Sequence, residues 1–219
     1  MIIGILGAFA LNNWNEERKA RNQLNNTLLE VYENLNADIE ILARAIEDAD
    51  TLIFRLQYLE DHGLEIPMDT LVELITRMHR VTEWSPITIG YDKLTNSQGG
   101  NRLPKELNYD ISSAYNVFLQ TTNQNSAQDL SLYSLNNYRS YLIDLGFPLN
   151  QYKYGVRSPK NKEIVITAME DIRFIGIIRN FQYSIGGQRE GYRWSKNRIE
   201  DICKKLERYF AEKNIYFSK

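Results

Sequence analysis

From Leu24 to Leu59 apolar residues return every seven positions. One row holds Leu28, Leu35, Leu42, Ala49 and Leu56, and a neighbouring row holds Val31, Ala45, Leu52 and Leu59, with Ile39, Ile46 and Ile53 beside them. No proline or glycine interrupts the stripe. Such a pattern predicts a single helix of about ten turns. A helix of that length carries an apolar face that only other helices running alongside can cover. The expected fold is therefore all-α, an antiparallel helical bundle whose first helix is much the longest. Five prolines in 219 residues, with Leu, Glu, Lys, Asn and Ile abundant, agree with it.

Further elements follow from caps and breakers. His62-Gly63 ends the long helix, since glycine accepts the left-handed conformation that closes helices. Asp69, after Pro67, caps a second helix expected to reach about Trp84, with Leu71, Leu74, Ile75 and Met78 inside. Residues 85 to 104 contain two prolines and three glycines and read as loop, with a short helical turn at YDKL, residues 91 to 94. Helical patterning resumes from Lys105 to about Leu119. Ser126 and Asp129, at capping-box spacing, open a run to about Leu145 that holds Leu130, Leu132, Leu135, Tyr138 and Leu142. Gly146 to Pro159 reads as a long connection, and Ser158-Pro159 as a helix start. A helix to about Ile185, a break at Gly186-Gly187, and a last helix burying Ile199, Ile202, Cys203, Leu206 and Phe210 complete a C-terminal hairpin over about 159 to 214. The expected organisation is residues 1 to 13 as part of a membrane anchor and 14 to 219 as one helical domain, its long helix over about 14 to 61.

The chain opens on an apolar run. Every position from Ile2 to Leu11 is apolar or small, whereas a surface helix of a soluble bundle shows polar residues on its outer face. Eleven helical residues rise roughly 16 Å, about half the hydrocarbon thickness. An A-x-A-like triplet at Ala8 to Ala10 lacks the basic start of a signal peptide. All-round apolarity ending in Trp14, an interfacial residue type, reads as the last half of a membrane span, with Ile2, Ile3, Ile5, Leu6, Phe9 and Leu11 in lipid. Arg18, Lys19 and Arg21 follow the run with no basic residue before it, a bias that alone places the bulk of the chain in the cytoplasm.

GILGAFALNNWNEERK resembles the membrane-exit signature of a family of uncharacterised single-pass proteins of Bacteroidetes-type bacteria, in which a GILIAL-like run precedes NNWNE and a long helix. TIGYDKLTNSQGG, residues 88 to 100, is similar to that family's T-Y-E-E-L-K-x-S-G turn, matching at Thr88, Tyr91, Leu94, Ser97 and Gly99. Leu103 to Tyr115 resembles the helix that follows. The two motifs cover about a fifth of the chain. The resemblance implies a single-pass anchor in the bacterial inner membrane, with the helical domain on the periplasmic side. The family's basic leader and the first half of its span have no counterpart here, which either a start codon further upstream or an N-terminus trimmed from a longer chain would explain. No activity is established for the family, so no catalytic residue is implied.

The residues themselves carry no recognisable catalytic site. His62 and His79 are the only imidazoles, and neither lies in a nucleophile or metal motif. Glu47, Asp48 and Asp50 are spaced so as to scatter around a helix. No metal or cofactor is expected. IGGQREG, residues 185 to 191, lacks the lysine and hydroxyl of a phosphate loop. Arg173, Arg179, Arg189, Arg193 and Arg198 read as a solvated face paired with the long helix's glutamates, with an anionic ligand or headgroup as the competing reading. Tyr91, Tyr109, Tyr115, Tyr133, Tyr138, Tyr141, Tyr152 and Tyr154 read as core and boundary packing. Cys203, the only cysteine, reads as buried and inert. A net charge of -2 and a pI near 5.8 argue against nucleic acid as a partner. The leading expectation is a non-enzymatic, membrane-anchored interaction or scaffold module, with a protein partner or a second copy of the chain to bind. The alternatives are a small-ligand sensor that signals through a partner, and a soluble cytoplasmic helical protein.

Overall fold

The computed structural model describes residues 2–78, 82–97, 101–123, 127–147 and 159–215, and among these the regular structure is entirely helical. In chain order the helices are α1 (Ile2–His62), α2 (Met68–Arg77), α3 (Ile89–Asn96), α4 (Lys105–Asn123), α5 (Ala127–Asp144), α6 (Pro159–Glu170) and α7 (Ile172–Lys213). They pack as an all-α bundle fold whose longest element is the first. The chain divides into two compact units, one of Met1–Ile41, Ser85–Leu119 and Ser195–Lys219, the other of Leu42–Trp84 and Gln120–Trp194.

The heptad rows of α1 are the buried ones. Leu28, Leu35, Leu42 and Leu56 are fully inaccessible and Ala49 nearly so, while the second row buries Val31, Ala45, Leu52 and Leu59. Ile39, Ile46 and Ile53 flank them, half-buried. At the end of α1, Gly63 takes a positive φ of 49° and opens one turn of 3-10 helix, Gly63–Glu65, as the sequence predicts for a glycine stop.

In the first unit, Leu28, Val31 and Leu35 of α1, Ile111, Ala114, Tyr115 and Phe118 of α4, and Ile199, Ile202, Leu206 and Phe210 of α7 are buried. Tyr115 stacks on Tyr91 of α3 at 4.4 Å, and Tyr32 meets Phe210 edge to face at 5.8 Å. In the second unit a core cluster joins Leu56 and Leu59 to Leu71, Val72, Ile75 and Met78, with Tyr138, Leu142, Val165, Phe174, Phe181 and Ile185. Tyr138 places its ring there and donates its buried hydroxyl to the Ile75 carbonyl at 3.0 Å. α2 packs against α6, and Lys162 pairs with Asp69 at 2.8 Å across that contact.

Four expectations from the sequence need correction. α2 ends at Arg77 rather than near Trp84, and Thr82 to Thr88 form a connection without regular structure whose Trp84 is buried. Asp69 lies in the first turn of α2, after Pro67. In α5, Leu130 is exposed and Leu132 only half-buried, because Ser131 and Ser134 take the inward positions. The Ser131 hydroxyl donates to the Ser184 carbonyl at 3.0 Å, so small polar side chains let α5 and α7 approach closely. The C-terminal hairpin does not break at Gly186-Gly187: α7 runs through both. It breaks at Asp171, whose carboxylate accepts from the Arg173 backbone N–H at 2.8 Å as a helix N-cap. Helical hydrogen bonds on either side outweigh the entropy cost of two interior glycines, whereas a cap supplies a positive signal for a start.

Two helix ends close as the composition of their turns suggests. Gly146 has φ 85° and its N–H reaches Ile143 O, while the Phe147 N–H reaches Leu142 O at 2.8 Å and its ring is buried. Asn214, with φ 53°, closes α7 in the same manner, the Ile215 N–H meeting Phe210 O at 2.9 Å.

Candidate functional site

The first candidate is the start of α1. Residues 2 to 11 are helical, and the side chains of Ile2, Ile3, Ile5 and Leu6 lie outside the described residues. Phe9, Leu11 and Trp14 are 65%, 68% and 58% exposed. From Phe9 to Lys19 every residue is exposed, and the first buried residue of α1 is Leu24. The Arg18 guanidinium lies over the Trp14 ring at 5.4 Å, and Asn12 donates to Glu16 at 3.2 Å. The helix thus presents apolar side chains that nothing in the first unit buries. No helix among the described residues is long and apolar enough to cross a membrane.

The second candidate is the turn at 88 to 97, which proves to be a clamp on α1. Thr88 precedes α3, and its carbonyl accepts from Asp92 N at 2.8 Å while its hydroxyl donates to the Asp92 carboxylate. Gly90 sits against the backbone of α1: a Cβ there would lie 2.7 Å from Val31 N and 2.9 Å from Val31 Cα. That close approach lets Gly90 N–H reach the Asn34 side chain at 2.9 Å. Tyr91 and Leu94 are buried, Lys93 pairs with Glu30 at 2.6 Å, and Ser97 closes α3 by donating its hydroxyl to Leu94 O. Gly99 lies outside the described residues. Thr88, Tyr91, Leu94 and Ser97 are therefore brought together in building the clamp.

Asp38 completes the same clamp and was not singled out from the sequence. It is fully inaccessible, and its carboxylate accepts from Ile87 N–H at 3.1 Å, just before α3. The Tyr115 hydroxyl donates to Ile87 O, and burial together with the nearby Asp38 charge pushes the phenol well above its usual range. A signal for Asp38 exists in the sequence. It falls seven residues after Val31 and seven before Ala45, the one polar place in that heptad row.

The arginines divide among several partners. Arg179 meets Glu60 at 2.6 Å, as a salt bridge to the long helix requires. Arg189 and Arg193 both hold Asp50, which makes that member of the acidic set on α1 an ion-pair partner. Arg198 and Lys205 hold Asp110 of α4 at 3.0 and 2.6 Å, and Arg173 holds its neighbour Asp171. Hydrogen bonds from Arg173 and Tyr141 keep the Asp171 carboxyl well below the usual carboxylate range, and Lys205 lowers that of Asp110.

Few chemically versatile groups remain. Cys203 is buried, and desolvation pushes its thiol up to about 12, far from thiolate chemistry at neutral pH. The Tyr192 hydroxyl, raised to about 12 by burial, donates to Thr82 O and accepts from Trp84 N–H and the Gln188 amide. That pins the connection after α2 through Thr82 and Trp84 and leaves the phenol saturated. Tyr109 and Tyr133 are exposed, Tyr138 is core, and Tyr152 and Tyr154 lie outside the described residues. His62 ends α1 with its ring 4.6 Å from Tyr58, and His79 lies outside the described residues. No group of three or more metal-binding side chains comes together among the described residues.

Comparison with protein families, with curated proteins and with solved structures returns no match.

Proposed function

We propose that this chain is a membrane-anchored helical domain that binds or scaffolds a protein partner on the periplasmic side of the bacterial inner membrane, without catalytic chemistry of its own. The observation that carries the reading is the exposure of Phe9, Leu11 and Trp14 on a helix whose preceding residues are apolar on every side. Water is a poor solvent for such a segment, and an acyl environment with Trp14 at its border suits it. Ten helical residues rise about 15 Å, enough to enter one leaflet. The resemblance of NNWNE and of the 88 to 97 turn to an anchored family supports the same reading. The buried clamp of Asp38, Gly90 and Tyr115 supports a rigid module over a reaction site, since its polar groups are spent on backbone contacts.

Flotation with phosphatidylcholine vesicles tests the anchor. The chain is expected to float, and Leu6→Asp/Phe9→Asp is expected to stay in the dense fractions with unchanged helical circular dichroism, since each aspartate opposes burial in hydrocarbon by about 3 kcal/mol. Equal recovery of both proteins in the dense fractions rejects the anchor. An alkaline phosphatase fused after Lys219 is expected to be active in cells, and an inactive, stably expressed fusion rejects the periplasmic assignment. Mild detergent extraction is expected to recover a stoichiometric protein partner.

A further inference from the structure

An open groove of about 480 Å³ lies in the first unit, lined by Glu17, Arg21, Leu24, Asn25, Arg102, Tyr209 and Lys213. Three segments far apart in sequence contribute to it: α1, the turn before α4, and the end of α7. Arg21, Arg102 and Lys213 each bring a cation. Among the described residues, no carboxylate lies within ion-pair distance of any of the three. This sets them apart from Lys93, Arg179, Arg189, Arg193, Arg198 and Lys205, which all hold carboxylates. Three cations facing one cavity, with no carboxylate partner among the described residues, repel each other unless an anion joins them. Asn25 and Tyr209 add neutral donors to its wall, and Leu24 an apolar floor.

We propose that this groove binds the phosphate of an anionic phospholipid headgroup, a reading that rests on the membrane anchor argued above. Position supports the lipid source over a free phosphate. Glu17 lies six residues and Arg21 ten residues beyond Leu11 on one continuous helix, roughly 9 and 15 Å along its axis. The headgroup layer extends roughly 5 to 8 Å beyond the hydrocarbon, and arginine and lysine side chains reach across the remainder with their cationic ends. Two guanidinium forks match the oxygens of a phosphodiester, and Lys213 adds a mobile point charge. Glu17 at the near edge disfavours a second phosphate, which fits the groove to a single diester.

The test uses the full chain and vesicles of phosphatidylcholine alone or with added phosphatidylglycerol. Binding is expected to tighten with phosphatidylglycerol, by about fivefold for each cation engaged. Arg21→Gln/Arg102→Gln/Lys213→Gln is expected to lose that gain while keeping its affinity for phosphatidylcholine alone. The charge-matched control Lys105→Gln/Lys204→Gln/Arg208→Gln, three exposed cations outside the groove, is expected to keep it. Equal loss in the control, or no gain in the natural chain, overturns the proposal. Absence of binding to phosphatidylcholine vesicles is a failure of the anchor and not of the groove, which is then read with soluble glycerol phosphate. A rise in Tm that the groove variant lacks retains the phosphate site, and no rise removes it. A Tm rise with inorganic phosphate, together with vesicle binding indifferent to phosphatidylglycerol, assigns the groove to a free anion and overturns the lipid source.

Discussion

Asp38 occupies a place in an apolar heptad row because a backbone N–H, that of Ile87, has to be satisfied inside the first unit. Gly90 solves the companion problem, since only a residue without Cβ lets α3 approach the backbone of α1 at Val31. Gly90→Ala is expected to lower stability by about 1–3 kcal/mol, seen as a fall in Tm, because the obstructing atoms are backbone and cannot swing aside. Asp110 is a second buried carboxylate, 7% exposed, held by Arg198 and Lys205. Its pKa is lowered in the folded protein, so the stabilisation is complete above the ordinary carboxylate range and fades as pH falls through the depressed value. Asp110→Asn is expected to cost about 1–2 kcal/mol at neutral pH. The Tm gap to the natural chain should hold steady above about pH 5 and close below about pH 4. A gap independent of pH would show that the carboxylate's charge is not what Arg198 and Lys205 recognise.

At the scale of the element, α7 shows how weak a negative signal is beside a positive one. Gly186 and Gly187 suggest a break, yet the helix continues, and Gly186 has open space where a Cβ would stand. Gly186→Ala is therefore expected to raise stability by about 0.5–1 kcal/mol, measurable as an increase in Tm and a higher denaturant midpoint. The break falls instead at Asp171, where a side-chain cap starts the new helix. α5 makes the same point for burial. Leu130, one of the leucines of that run, is exposed, and Ser131 is buried because its hydroxyl has a carbonyl partner on α7. Hydrophobicity along one helix cannot report a small residue selected by the closeness of another.

For the whole molecule, the single thiol is a reporter of the native state. Cys203 is buried in the first unit with its thiol pushed up to about 12, so alkylation by iodoacetamide at mildly alkaline pH is expected to be negligible in the folded chain and complete in denaturant. Rapid labelling without denaturant would show that the α7 face opens readily. The all-α class, the long first helix and its buried rows were legible in the sequence because a heptad repeat is a local property of the chain: each apolar position declares its face without reference to any partner. The rest depended on contacts between residues far apart in the chain. The division into two compact units, the clamp that joins Asp38 to Ile87 and Gly90 to Val31, and the pairing of Asp50 with Arg189 and Arg193 arise only when distant segments meet. The groove that gathers Arg21, Arg102 and Lys213 belongs with them. A charged or small residue carries no periodicity of its own, and its role is set by the atom that folding brings within a few ångströms of it.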